Sequence, residues 1–94
     1  MTRTWIVKLS HKAEKQKETL PEKVYNRFIT LIREIERDGP KRFNWHNYSS
    51  LGGGQYHCHL KKGHPTYVAV WEIVKDQVKI VEVKYVGTHG KAPY

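Results

Sequence analysis

The longest regular pattern of apolar residues runs through the first half of the chain, between residues 21 and 38. Its members are spaced three or four residues apart, as on one face of an α-helix: Val24, Phe28, Leu31, Ile32 and Ile35. Pro21 suits the first turn of this helix, and Gly39-Pro40 ends it. A shorter charged helix is predicted over His11–Glu18, with Ser10 as its N-cap.

Four other segments have the short apolar runs that are typical of β-strands. They are Trp5–Leu9, Gln55–Lys61, Thr66–Val74 and Gln77–Val86. Residues 41–54 show no clear period, and Gly52-Gly53-Gly54 indicates mobile backbone. Short connections between the last three strands predict an antiparallel meander. The pattern therefore predicts one α+β domain over residues 1–94, ordered β-α-α-β-β-β, with two helices on one face of a four-stranded, mainly antiparallel sheet.

Alternation within the second predicted strand divides its side chains between two faces. One face carries Tyr56, Cys58 and Leu60, and the other carries His57, His59 and Lys61. If the apolar set packs against the helices, the two histidines and the lysine face the open side of the sheet. Two helices cannot cover both faces of such a sheet, so this open side is the expected floor of a binding cleft.

Charge narrows the range of partners. The net charge is +8 and the isoelectric point is about 9.7, so the chain attracts polyanions such as nucleic acid, an acidic protein or an anionic membrane. Residues 39–71 contain no Asp or Glu, but include four histidines and several aromatic residues. The single cysteine, Cys58, excludes an internal disulfide and fits a reducing compartment. Because no apolar run approaches about 20 residues and no secretory segment is visible, we expect a cytoplasmic protein without a membrane partner.

Cations, aromatic rings and imidazoles in one window suggest a protein that holds RNA and cuts it. The candidate phosphate-binding cations are Arg42, Lys61, Lys62 and Lys91. Trp45 and Tyr48 are candidates for base stacking, although either could equally anchor the glycine-rich segment in the core. The His57-x-His59 spacing also occurs in metal sites, but the absence of carboxylates from this window disfavours a metal.

Three features together resemble the RelE/ParE superfamily of toxin–antitoxin toxins, and within it the YafQ-type messenger RNA interferases. They are His46 ahead of the second strand of the predicted order, Gly54 leading to His59 within it, and the ending Gly87-Thr88-His89. The resemblance implies a RelE-like microbial ribonuclease fold and cleavage of messenger RNA in the A site of the 30S ribosomal subunit. It also implies a cognate antitoxin, which we expect to be acidic and to cover the same basic cleft as RNA.

The resemblance also implies where the site residues lie. It assigns catalytic roles to His46, His59 and His89. Related toxins often place a catalytic or phosphate-contacting residue near Tyr85, and His57 shares the face of His59. The YafQ type has an Asp in the turn after the second strand, but residues 61–66 contain no acid, so either His64 substitutes or the role is empty.

Metal-independent cleavage of RNA needs a base for the ribose 2′-hydroxyl, an acid for the 5′-oxygen and positive charge near the phosphate. We assign His59 as the base, His89 as the acid and His46 to the phosphate, as a hypothesis that requires no cofactor. Two alternatives stay open: a ParE-like toxin that inhibits DNA gyrase, and an RNA- or protein-binding module without catalytic activity.

Overall fold

The structure, a computed structural model, describes residues 4–63, 65–75 and 79–94. Within them the elements are β1 (Ile6–Leu9), α1 (His11–Lys17), α2 (Glu22–Asp38), β2 (Ser49–Gly52), β3 (Gln55–Lys61), β4 (Tyr67–Lys75), β5 (Ile80–Thr88) and a 3-10 turn (His89–Lys91). The strands form one sheet in the order β1-β5-β4-β3-β2; β1 is parallel to β5, and the other neighbours are antiparallel. The predicted α+β architecture is confirmed, with five strands among the described residues where four were expected.

The hydrophobic core lies between α2 and one face of the sheet. The helix buries Val24, Phe28, Leu31 and Ile35, four members of the predicted stripe, against Trp71 of β4 and its neighbours. As expected, Ser10 caps α1, because its Oγ accepts a hydrogen bond of 3.1 Å from the backbone N–H of Ala13. The helix α1 follows the edge of β5 beyond the end of β1, where Gln16 Oε1 accepts a hydrogen bond from the N–H of Val86. The opposite face of the sheet buries a smaller cluster of Val68, Val70 and Tyr85; Leu51 and Ala92 pack against it, so the segment after β5 covers part of this face.

The additional strand, β2, pairs antiparallel with β3 at the edge of the sheet. Its side chains are mostly exposed, so no alternation of apolar and polar residues marks it in the sequence. Gly52, Gly53 and Gly54 all have positive φ angles, of 89°, 60° and 79°, and form the tight turn of a β2–β3 hairpin. Glycine here permits a left-handed turn, and the mobility expected of this backbone stays a prediction.

A β-bulge at the end of β3 moves one predicted site residue to the other face. His59 pairs with Val68, but Lys61 pairs with the next residue of β4, Tyr67, so Leu60 is the extra residue. Tyr67 packs with the core on the helix side, and Lys61 accordingly lines a groove beside α2 with Arg27. The prediction that Lys61 shares the open face with His59 was wrong, because a single inserted residue reverses the alternation.

Candidate active site

Two histidines of β3 lie on the open face of the sheet. His57 and His59 pair with Val70 and Val68 of β4, whereas Cys58 between them is buried against the helices. Cys58 behaves as a small apolar residue, and its burial raises the pKa of its thiol well above the ordinary value. The predicted division of this strand into a core face and an open face is thus confirmed up to Leu60.

The loop before β2 brings His46 next to His59. The backbone N–H of His59 donates to the carbonyl oxygen of His46 at 2.8 Å, and the two ring centroids are 5.9 Å apart. Asn47, which follows, adopts the left-handed region with φ of 52°, and its side-chain nitrogen lies 3.2 Å from Nδ1 of His59. An amide N–H there can donate to an unprotonated imidazole, so Asn47 is suited to hold His59 in its neutral form. Sequence reasoning missed Asn47, whose tolerance of positive φ was the available signal.

A single carboxylate, that of Glu34, anchors this loop to α2. Its Oε1 accepts hydrogen bonds from Trp45 Nε1 at 2.8 Å, Asn44 Nδ2 at 3.1 Å and Arg42 at 3.3 Å. Burial of Glu34 raises its pKa, but these hydrogen bonds outweigh the burial and leave the pKa below the ordinary carboxyl value. Glu34 therefore remains charged at neutral pH and holds the chain that leads to His46.

Two predicted RNA-contacting residues belong to this anchor. Trp45 is 7% exposed, donates to Glu34 and lies under the Arg27 guanidinium, which is 4.8 Å from the indole centroid. Arg42 has a side chain 13% exposed and is paired with Glu34 and Asp38. The predicted role of Trp45 in base stacking was wrong, whereas that of Arg42 in phosphate binding stays a prediction. The core-anchor alternative holds for Trp45, since a buried ring cannot present its face to a base.

The end of β5 places His89 on the other side of His59. The backbone N–H of His89 donates to the carbonyl of Thr66 at 2.8 Å, and its ring lies 5.5 Å from that of His59. The Tyr85 hydroxyl donates to the carbonyl of Thr88 at 2.7 Å, directly before this turn. Tyr85 is only 4% exposed, and its hydrogen bond fixes the backbone that carries His89; its candidate catalytic role stays a prediction.

His57 has partners that the sequence did not indicate. Its Nε2 lies 2.9 Å from Oγ of Ser49 on β2, and its ring stacks on that of Tyr94 with centroids 4.3 Å apart. Its Nδ1 is buried and makes no hydrogen bond within the described part of the chain. Tyr94 also meets the ring of His89 edge to face at 5.8 Å. The open face therefore gathers four histidines and one tyrosine into a continuous cluster of rings.

Burial, together with the crowding of imidazoles, lowers the pKa values of His57 and His59. Burial lowers the pKa of His59, and the neighbouring His89, His57 and His46 lower it further. Burial followed by the charge of His89 also lowers the pKa of His57. At neutral pH both rings consequently favour the neutral form, in which an imidazole nitrogen can accept a proton.

The remaining predicted site residues lie in different surroundings. Lys62 and Lys91 are exposed, and His64 lies outside the described residues. Lys12 of α1, which was not a site candidate, reaches the open face, where its Nζ is 5.6 Å from the centroid of the Tyr85 ring. Tyr48 is half-buried and stacks on Tyr56 at 5.9 Å, as the core-anchor alternative requires, and its role in base stacking stays a prediction.

The described residues were also compared with two other kinds of structure, a metal-binding cluster and a membrane-spanning helix. Across residues 4–63, 65–75 and 79–94, no three His, Cys, Asp or Glu side chains are arranged to hold a metal ion. In the same residues, no helix has the length and apolar character needed to cross a membrane.

Comparisons of sequence find no relatives, whereas comparison of structure does. No protein-family model matches the sequence, and no curated protein matches it significantly. A chain of the archaeal RelE–RelB complex from Pyrococcus horikoshii OT3 superposes with a TM-score of 0.71 over 95% of this chain and 99% of that one, at 20% identity. The present chain has a RelE-like fold.

Two further toxin structures share this RelE-like fold. The YoeB dimer from Staphylococcus aureus matches with a TM-score of 0.69 and 15% identity, over 92% of this chain and 98% of that one. The toxin–antitoxin complex RelBE2 from Mycobacterium tuberculosis matches with a TM-score of 0.65 and 16% identity, over 92% and 99%. The predicted RelE-like architecture is confirmed, and the finer resemblance to the YafQ type stays a prediction.

Proposed function

We propose that this RelE-like chain is the toxin of a toxin–antitoxin system and cleaves messenger RNA on the ribosome. The observation that carries the proposal is the position of the His59 and His89 rings, 5.5 Å apart on an open sheet face. His46 adds a third imidazole 5.9 Å from His59. Three groups able to bind or move protons thus lie together, with His59 next to both of the others.

In the proposed reaction the ribose 2′-hydroxyl attacks the adjacent phosphorus, which forms a 2′,3′-cyclic phosphate and expels the 5′-oxygen. Neutral His59 accepts the 2′ proton on its unprotonated ring nitrogen, which the Asn47 amide must leave free, and its lowered pKa supports this role. Protonated His89 gives its proton to the departing 5′-oxygen. His46, which is exposed, hydrogen-bonds to the phosphate, where negative charge grows in the transition state. His59 takes up one proton and His89 gives up one, so the proposed reaction requires no cofactor.

The proposed partners follow from charge. A net charge of +8 over 94 residues favours association with RNA and with an acidic protein. Two of the similar solved structures are complexes of a toxin with its antitoxin. We therefore propose that an acidic antitoxin covers the histidine face and excludes RNA from it, and that ribosome-bound messenger RNA is the substrate.

The test is cleavage of messenger RNA by purified protein on translating ribosomes. His89→Gln keeps a hydrogen-bonding side chain but cannot carry the proton, so the cleavage rate should fall about 10²- to 10⁴-fold. His11→Gln is the matched control, because His11 is an exposed histidine on α1 that contacts none of the cluster; its rate should equal that of the unmodified protein.

Other outcomes would overturn the proposal. Near-normal cleavage by His89→Gln would remove the acid assignment. Blocked DNA supercoiling without cleavage of messenger RNA would indicate a gyrase inhibitor instead. Neither activity in the unmodified protein would indicate a binding module.

A further inference from the structure

Phe43 is the most exposed large apolar side chain among the described residues, at 77%. It lies in the loop that leads to the histidine cluster, and its ring meets that of Tyr48 edge to face at 5.2 Å. Tyr48 stacks on Tyr56, and Tyr56 on Trp71, which is fully buried. The exposed ring is thus the outer end of a rigid ladder of four aromatic side chains anchored in the core.

An open groove lies beside this exposed ring, at the β2 edge of the sheet. It has a volume of about 460 Å³, and its lining is Lys41, Phe43, Tyr48, Ser49, Ser50 and Tyr56. This volume falls within the range of small-ligand sites in proteins. Ser49 connects the groove to the cluster, because its Oγ is also 2.9 Å from Nε2 of His57. A ligand in the groove would therefore lie around the β2 edge from the histidine face, because Tyr56 in its lining belongs to the helix side of the sheet.

We propose that this groove is a nucleobase-binding subsite, in which an unpaired base of RNA stacks on Phe43 while its phosphate meets Lys41. The inference rests on the proposed function in taking RNA as the ligand. The lining favours RNA over an apolar protein segment, because the exposed ring of Phe43 is accompanied by a cation and by the hydroxyl-bearing side chains of two serines and two tyrosines. Phe43 would hold a nucleotide that lies around the β2 edge from the bond cleaved at His59 and His89.

The chain offers a direct test by nuclear magnetic resonance, since it contains only two phenylalanines. Phe43 is exposed and Phe28 is fully buried, so protein labelled with ¹³C at phenylalanine rings gives one reporter and one internal control. A short 2′-O-methylated oligonucleotide, which lacks the attacking hydroxyl, should shift the ring signals of Phe43 and leave those of Phe28 unchanged. The same oligomer without bases should leave both unchanged. Equal shifts from both oligomers, or no shift from either, would overturn the inference.

Substitution gives the second measurement. Phe43→Ala should weaken binding of the oligonucleotide and lower messenger RNA cleavage on ribosomes, each by about 5- to 150-fold, the value of one base–aromatic stack. Phe43→Tyr keeps the ring and should retain both. Val74→Ala is the matched control, because Val74 is a half-exposed apolar residue near the end of β4, in a different groove.

The outcomes separate this inference from the proposed function. A base-dependent shift at Phe43 in a protein that does not cleave messenger RNA would refute the proposed function and support the subsite. Normal cleavage by Phe43→Ala would refute the subsite and leave the proposed function standing. Loss of antitoxin binding by Phe43→Ala with unchanged RNA binding would assign the patch to the protein partner and overturn the inference.

Discussion

Glu34→Ala tests whether one carboxylate holds the histidine loop in place. In the structure Glu34 Oε1 accepts hydrogen bonds from Arg42, Asn44 and Trp45, which span the segment directly before His46. Alanine removes the acceptor without adding bulk to α2, and it keeps helix propensity high. The loop would then lose three hydrogen bonds to the helix, while the contact of Arg42 with Asp38 and the apolar contacts remain.

The expected decrease in the free energy of unfolding follows from the groups that lose a hydrogen-bond partner. The indole N–H of Trp45 is in a side chain only 7% exposed, and an unsatisfied buried donor costs about 1–3 kcal/mol. Arg42 loses its 3.3 Å contact but keeps Asp38 at 3.7 Å, so this ion pair adds about 1 kcal/mol or less. Asn44 is exposed and adds little. The free energy of unfolding should therefore fall by about 1–4 kcal/mol.

Urea denaturation followed by tryptophan fluorescence measures this loss, and ribosomal cleavage measures its effect on the site. Glu22→Ala is the matched control: it removes an exposed carboxylate from the first turn of the same helix and should cost less than about 1 kcal/mol. Cleavage should fall in Glu34→Ala and stay normal in Glu22→Ala, because only the former displaces His46. Equal unfolding midpoints and equal rates for the two variants would refute the reasoning.

Two further predictions concern the histidine cluster and the turn that carries it. His59 should titrate below the ordinary imidazole value of 6.5, and His89→Gln should raise its pKa toward that value in an NMR titration; an unchanged pKa would exclude charge coupling. Since folding favours neutral His59, the stability that this histidine contributes is present above pH 6.5 and is lost as the pH falls through its lowered pKa. Gly87→Ala would place a Cβ 2.9 Å from the Tyr85 hydroxyl and should reduce stability by about 1–3 kcal/mol, whereas Gly90→Ala, with nothing within 4 Å, should not; thermal melting that fails to separate them would contradict this.

The local periodicity of apolar residues was sufficient to predict the main helix and the central strands. The spacing from Val24 to Ile35 predicts α2 and its buried face, because a helix repeats its faces within a few residues. Alternation in β3 likewise places His57 and His59 opposite the core. The edge strand β2 could not be found in this way, since both of its faces are largely exposed and its partner, β3, supplies the pairing. The glycines of its hairpin were the one local signal for it.

The sequence by itself determined the helices, the central strands, the side of the sheet that carries His57 and His59, and the excess of positive charge. Only the tertiary structure decided which side chains meet. A bulge at Leu60 turned Lys61 toward α2, and Glu34 removed Trp45 and Arg42 from the surface. These outcomes depend on pairings between residues distant in the chain, each settled by the burial and hydrogen bonding of both partners. A local pattern of apolar and polar residues predicts which face of a helix or strand a residue lies on. It does not predict which residue of another element that side chain contacts.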